Sequence, residues 1–461
     1  AAAGTEAASN SAASNGEVPT LVWWTVGGTP ADDFDQAVSQ ISDYAEEKIG
    51  VRIDVKIAGW ADYDTKMNNI INTGEYFDLM FVNNTNYTKF VNLNALENIT
   101  DLVQSETPDL YNFIPADLWE GAKIHGNVYA VPTYKDSSLT QFWMLDDTYV
   151  QKYGIDVDSI KDYATLNDAL QTIKEGEGKS VYPMQLAQGS TFNGFFNNYD
   201  GLASGLQPIG VKYDDASRKV VCTLEQDDIM DGLNWLHKWY QDGIINPDAN
   251  VVTDGGKGSI FGSAQGWPAA ATTWAFNQGI EKYDLVFGPL YTTETIQGSM
   301  NAISANSKYK TEALKVLQLM NTDPKFRDMC AYGTEGNYME YAEDGTVQKL
   351  RDDWNWPSYT QGTFFILSTQ ADGDPDAWNQ VKEQNESATA STCLGFALDV
   401  TNIQNEIANC NTVWDKYKND LLTGASDPAT AVPACIEELK AAGLDTVIEE
   451  AQKQVDEFFA N

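Results

Sequence analysis

Histidine is almost absent from this chain. Only His125 and His237 occur among 461 residues, which leaves no His-rich metal set and little for the common Ser-His or Cys-His nucleophile pairs. Positive charge is also scarce: 29 Lys plus Arg stand against 67 Asp plus Glu, a net charge of −38. A field of that sign repels phosphate backbones and argues against nucleic acid as a partner; its commonest service is solubility. The five cysteines, Cys222, Cys330, Cys393, Cys410 and Cys435, are odd in number and form no C-x-x-C. That excludes a zinc ribbon and a disulfide framework, and points to buried thiols rather than to one or two bridges. No apolar run is long enough to span a bilayer, and no signal-peptide core is present.

Catalytic motifs are missing too. Gly178-Lys179-Ser180 looks like the end of a P-loop, but Ile173 stands where its first glycine belongs. Gly256 and Gly258 begin a G-x-G-x-x-G that Phe261 breaks. There is no G-x-S-x-G and no H-E-x-x-H. Asp372-Gly373-Asp374-Pro375-Asp376 resembles a calcium loop in composition and reads as a solvated turn. No catalytic residue, cofactor or metal is assigned. A glycosidase needs only two carboxylates, so an extracellular glycoside hydrolase stays open as an alternative of another class, as does an adhesion module.

What the chain has in plenty is aromatic: 13 Trp and 22 Tyr. Its length predicts more than one domain. Residues 1–17, AAAGTEAASNSAASNGE, are small and polar and are expected to be a disordered tether. The folded part then alternates. Leu21–Val26 reads as a strand, Phe34, Val38, Ile41 and Ala45 as one helix face stopped by Gly50, Val51–Ile57 as a strand, 62–73 as a helix and Phe77–Val82 as a strand. This is the α/β pattern with a parallel sheet. Further strands are predicted at Val128–Pro132, Phe142–Leu145 and Leu285–Phe287, and helices over 227–241, 311–321 and from Pro433 to the end.

Several stretches together resemble the family 1 extracellular solute-binding proteins of bacterial ABC importers, the group that includes maltose-binding protein. They are Trp23-Trp24-Thr25 with its following glycines, Thr73–Met80, Gly126–Pro132, Asp242–Pro247 and Gly298–Ser304. The C-terminal third, with Tyr332–Tyr338, Trp354–Pro357, Gly395-Phe396 and the Pro433-to-Gln454 helix, resembles a narrower lipoprotein subgroup. The resemblance implies an α/β, two-lobed periplasmic-binding-protein fold (type II, Venus-flytrap) with discontinuous lobes and a hinge. It places 18–132 plus about 300–345 in an N-terminal lobe, and 133–299 plus about 346–461 in a C-terminal lobe. It implies a monomeric cell-surface lipoprotein, tethered only through a lipid anchor absent from this chain, that hands a solute to permease subunits.

Sugars present apolar C–H faces ringed by hydroxyls, so a site for them needs flat aromatics beside amides and carboxylates. Loop positions supply candidates: Trp24, Trp60, Asn83, Asn84, Tyr134, Asp136, Trp267, Trp274, Glu335, Asn337, Trp354 and Trp356. Trp23 and Trp24 are consecutive on a strand, so at most one faces a cleft. Each Trp is as readily core, each Asn as readily turn chemistry, and each acid as readily a surface charge. The expected ligand is a sugar or oligosaccharide, with a peptide or other small solute as the alternative.

Overall fold

The computed structural model describes residues 18–253, 259–267 and 280–460, with side chains left out for 280–287. Residues 1–17, expected to be a tether, and the candidate Trp274 lie outside them. β1 (Thr20–Val26) is rich in β-branched and aromatic residues. A helix, Phe34–Ile49, buries Phe34, Val38, Ile41 and Ala45 on one face and ends at Gly50, whose φ of 68° is a left-handed cap. β2 (Arg52–Ala58), the helix Trp60–Thr73 and β3 (Leu79–Val82) follow. β3 is buried at every position, as befits a strand covered on both faces.

Thirteen more strands occur among the described residues: β4 (Lys123–Ile124), β5 (Asn127–Val128), β6 (Ala130–Pro132), β7 (Leu139–Asp146), β8 (Tyr199–Asp200), β9 (Ile209–Lys212), β10 (Val221–Cys222), β11 (Phe261–Gln265), β12 (Ile280–Tyr291), β13 (Met300–Ile303), β14 (Met339–Tyr341), β15 (Val347–Lys349) and β16 (Thr389–Ala390). The first sheet has the order β2-β1-β3-β13-β6, with β1, β2 and β3 parallel and β13 antiparallel to both β3 and β6. The second has the order β11-β7-β12-β16.

The sheets are joined by two crossings, Thr133–Ser138 between β6 and β7 and Thr292–Ser299 between β12 and β13. They are tied to each other: Thr133 N donates to Ser299 O at 3.0 Å, and the hydroxyls of Thr133 and Ser299 hydrogen-bond to each other at 3.1 Å. The core divides accordingly. One apolar cluster gathers β1–β6, β13 and the helices Lys310–Thr322 and Pro324–Tyr332; the other gathers β7–β11 and the C-terminal helices. The first body therefore takes strands from both sides of the second in sequence, and the molecule has the two-lobed fold.

Two details depart from expectation. Trp354 and Trp356, in a segment expected to belong with the C-terminal lobe, pack in the first cluster. Trp356 meets Trp23 edge-on at 5.3 Å, and Trp354 lies 5.0 Å from Phe34. The C-terminal helical stretch begins at Pro428, not Pro433, because Asp427 caps it by accepting from Ala429 N. All five cysteines are buried and unbridged.

Candidate functional site

β1, β2, β3 and β6 all end at one edge of the first sheet, where β13 begins: Val82 and Pro132 both pair with Met300. In open α/β sheets the ligand crevice lies outside the carboxyl ends of the strands. After β1 the chain turns at Gly27-Gly28. Gly28 N donates to Asn355 O at 3.1 Å, and a Cβ on Gly27 would sit 2.3 Å from that oxygen. Glycine is what lets segment 354–361 lie against this edge.

After β2 comes Trp60, 51% exposed, opening a helix. Its ring stacks on Tyr359, 39% exposed, with centroids 6.5 Å apart and planes 15° apart; Phe81 braces it edge-on at 5.8 Å. Two large rings, nearly parallel and left in water, make an aromatic platform at this edge. Tyr359 escaped the sequence reading. Its one signal was its place just after the Trp354-Asn355-Trp356-Pro357 turn.

The segment beneath the platform is fixed from below. Arg327 is fully buried. Its Nε donates to Thr363 O at 2.7 Å, one terminal nitrogen to Gln361 Oε1 at 2.6 Å, and the other to Ser358 O and Gly362 O at 2.9 and 3.2 Å. Burial lowers the guanidinium only to about 10, so it stays charged at neutral pH. Ser299 Oγ, in the second crossing, donates to Tyr359 O at 2.6 Å.

After β3, Asn83 is spent on a local turn, accepting from Thr85 N at 3.0 Å and from its hydroxyl at 2.6 Å. Asn84 is exposed. It lines a cavity of about 580 Å³ shared by the two bodies, with Lys89 and His125 on one side and Asp399, Gln404 and Phe458 on the other. After β6, Tyr134 is buried against Phe365 at 4.4 Å. Asp136 pairs with Lys135 at 2.7 Å.

The second sheet meets the same interlobe region. β7 starts directly after the crossing. β11 runs antiparallel to it with Gln265 opposite Gln141, so Trp267, half-buried, leaves at the crossing end. Gly266 N donates to Thr140 O at 3.2 Å, and Gln384 Nε2 to Gly266 O at 3.1 Å. Beside it are amides and a hydroxyl: Gln141 Nε2 donates to Ser263 Oγ at 2.5 Å, and Asn197 Nδ2 to Gln141 Oε1 at 3.4 Å.

The remaining candidates are placed elsewhere. Trp356 is 0% and Trp354 9% exposed, so neither ring offers a face to solvent. Trp24 is half-buried with Lys66 Nζ 5.0 Å over its ring, and its indole nitrogen is buried without a partner. Asn337 donates to Asp33 Oδ2 at 2.9 Å. Asp33 also takes Arg351 at 2.8 and 3.1 Å and Tyr338 Oη at 2.5 Å. Those donors, Arg351 first, hold the Asp33 carboxyl well below the usual range. Glu335 is exposed. His237 Nδ1 lies 2.8 Å from Gly424 O.

In the Asp372–Asp376 turn, Glu383 does stand at the twelfth position, but Ala377 fills the sixth, where a calcium loop has glycine. Two of its carboxylates are engaged locally: Asp374 accepts from Asp376 N at 2.8 Å and Gln380 Nε2 at 2.9 Å, and Asp376 from Asn379 Nδ2 at 2.8 Å. Among the described residues no group of three or more His, Cys, Asp or Glu could hold a metal ion, and no helix is long and apolar enough to cross a membrane.

Residues 39–350 match the family of bacterial extracellular solute-binding proteins. The chain belongs to that family. Residues 392–460 of this solute-binding protein also match a domain of unknown function. It is 28% identical over 466 residues to a carbohydrate ABC transporter substrate-binding protein of Streptococcus pneumoniae serotype 4 (strain ATCC BAA-334 / TIGR4), with 98% of this chain and 94% of that one covered. Among solved structures it resembles the N-glycan transport solute binding protein (NgtS) from Streptococcus pneumoniae: TM-score 0.86, 28% identity, 96% of this chain and 99% of that one. Against the same protein in complex with Man5GlcNAc the TM-score is 0.72, at 27% identity and the same coverage. An HMO binding, ABC-transporter associated solute binding protein from Bifidobacterium longum infantis ATCC 15697, at 16% identity, TM-score 0.64 and coverage of 95% and 98%, shares the fold.

Proposed function

We propose that this protein captures an oligosaccharide between its lobes and delivers it to the permease of an ABC importer, without chemical change to the ligand. The observation that carries this reading is the exposed, parallel Trp60–Tyr359 pair at the carboxyl edge of the first sheet. A stacked aromatic ledge suits the C–H face of a sugar ring. Trp267 and the Gln141–Asn197–Ser263 set, at the crossing end of the second sheet, are the groups that would supply an opposite wall and hydroxyl partners. The relatives named for carbohydrate and N-glycan transport support the same class.

The N-terminal lobe comprises 18–132 and about 300–345 together with the Trp354–Gln361 segment, and the C-terminal lobe takes the rest. Thr133–Ser138 and Thr292–Ser299 are the hinge. NgtS matches at 0.86, but at 0.76 and 0.72 in its Man1GlcNAc and Man5GlcNAc complexes. A lipid anchor ahead of residues 1–17 would keep the protein at the cell surface.

Isothermal titration against high-mannose and other oligosaccharides, with peptides as controls, tests the reading. Binding of one glycan series, recovered intact after incubation, is expected. Binding of peptides alone, or cleaved glycan, would overturn it.

A further inference from the structure

β14 and β15 form a hairpin that packs, with Phe364 and Leu367, in a third and smaller apolar cluster. The hairpin turn, 344–346, closes one side of a cavity of about 460 Å³, within the roughly 300–1,000 Å³ of small-molecule sites. Phe365 and Ser368 line it from the stretch that follows 354–361, and Trp378 and Asn379 from the helix Ala377–Glu386. Among the described residues no Lys, Arg or His lines it. The Trp378 ring is braced by Phe364, with centroids 4.8 Å apart, and its indole N–H is buried without an acceptor in the protein, which native interiors seldom leave so. Ser368 is fixed from inside. The carboxylate of Asp328, 2% exposed, accepts from Ser368 N at 2.8 Å, Ser368 Oγ at 2.7 Å and Tyr341 Oη at 3.0 Å, and Tyr332 Oη donates to Ser368 O at 2.7 Å. Asp344 Oδ1 accepts from Thr346 N at 3.0 Å and from its hydroxyl at 2.7 Å, leaving the second carboxylate oxygen to other donors.

Two ties set this hollow beside the interlobe region. Phe365 meets Tyr134, in the first crossing, at 4.4 Å. At the far end of the helix that carries Trp378, Asn385 Oδ1 accepts from Ser138 N at 3.2 Å, and Gln384 Nε2 donates to Gly266 O, next to Trp267. Gln384 follows Trp378 by six residues, about 9 Å along a helix. Phe365 follows Tyr359 by six residues, at most about 20 Å of chain. The hollow is therefore within reach of a glycan of several sugars seated on either wall.

We propose that this hollow is an outer subsite for the same ligand: with one ring of an oligosaccharide on the Trp60–Tyr359 platform, a distal, uncharged sugar of a long or branched glycan enters it. Trp378 and Phe365 offer apolar faces to the C–H side of that sugar, the indole N–H a donor to a hydroxyl oxygen, and Asp344 an acceptor for a hydroxyl proton. A carboxylate in a wall without cations repels an acidic sugar, which sets the class as neutral. The inference rests on the oligosaccharide reading above and adds to it a dependence on ligand length.

The test is titration calorimetry of the full chain with two short–long pairs, Man1GlcNAc against Man5GlcNAc and maltose against maltoheptaose. Trp378→Ala should weaken the longer ligand of the pair that binds roughly tenfold and leave the shorter unchanged, whereas Trp60→Ala should weaken both. Asp344→Ala, at an exposed turn, should give a smaller loss with the same length dependence, and it carries the test if Trp378→Ala fails to fold by circular dichroism. Equal losses for short and long ligands, or a long-ligand affinity that survives in every folded variant, would overturn the outer subsite while the platform reading stood. No binding of any of the four by the wild type would overturn the oligosaccharide reading and this inference with it.

Discussion

Two aromatic pairs, neighbours on one short segment, serve opposite ends. Trp356 turns inward from 354–361 and meets Trp23 in the core, fully buried. Tyr359, three residues on, turns outward and stacks on Trp60 in water. What separates them is what lies underneath: Trp356 drops between β1 and the helix layer, while Pro357 and the Arg327 clamp redirect the chain across the strand ends. One pair anchors the segment; the other is what it presents. Aromatic abundance alone cannot tell the two apart.

The sharpest way to break that comparison is Trp356→Ala. Removing a fully buried indole leaves a void beneath the first sheet and costs about 3–5 kcal/mol of stability. Denaturant unfolding should show it as a lowered midpoint, with ligand affinity lost only because folded protein is lost. A midpoint within about 0.5 kcal/mol of wild type would mean Trp356 is not an anchor.

Arg327→Met comes next. The substitution lifts the cost of burying a charge but strands four oxygen acceptors, at roughly 1–3 kcal/mol for each left unsatisfied, non-additively. Their number makes the loss win. We expect destabilisation of about 2 kcal/mol together with weakened ligand binding, since Tyr359 loses its seat. Arg327→Lys should not rescue binding, because an ammonium cannot reproduce the planar fork. Full binding in either variant would show that the platform is placed without the clamp.

Much of the first lobe was legible because its signals are local. Phe34, Val38, Ile41 and Ala45 keep helical spacing up to Gly50, and that helix is where the spacing puts it. The pairing of β13 with β3 was not legible, since the partners lie more than two hundred residues apart and only packing brings them together. Among site residues, Trp60, expected in a loop, opens the helix that follows β2 and lies exposed. Asn337 looked like a hydroxyl partner because it sits in a Gly-spaced loop, but Asp33 and Arg351 take its amide, and nothing in the local sequence names a partner three hundred residues away. Tyr359 carried no periodicity at all.

The gentlest change is the most informative about ligand. Trp60→Ala removes a ring that is half in water, so the fold should lose less than about 1 kcal/mol. A sugar resting on the platform would lose its larger face, and aromatic contacts of this kind contribute about 0.5–1.5 kcal/mol beyond the area they bury. Affinity should therefore fall roughly tenfold or more, with the unfolding midpoint nearly unchanged. Tyr359→Ala should do the same to a smaller degree, and the double variant should lose less than the sum, because each ring orients the other. Additive losses would mean that the rings contact separate parts of the ligand, and the platform would then be two subsites, not one. An affinity untouched by Trp60→Ala would move the ligand off this edge and toward the Trp267 wall, leaving the exposed stack without its part in binding.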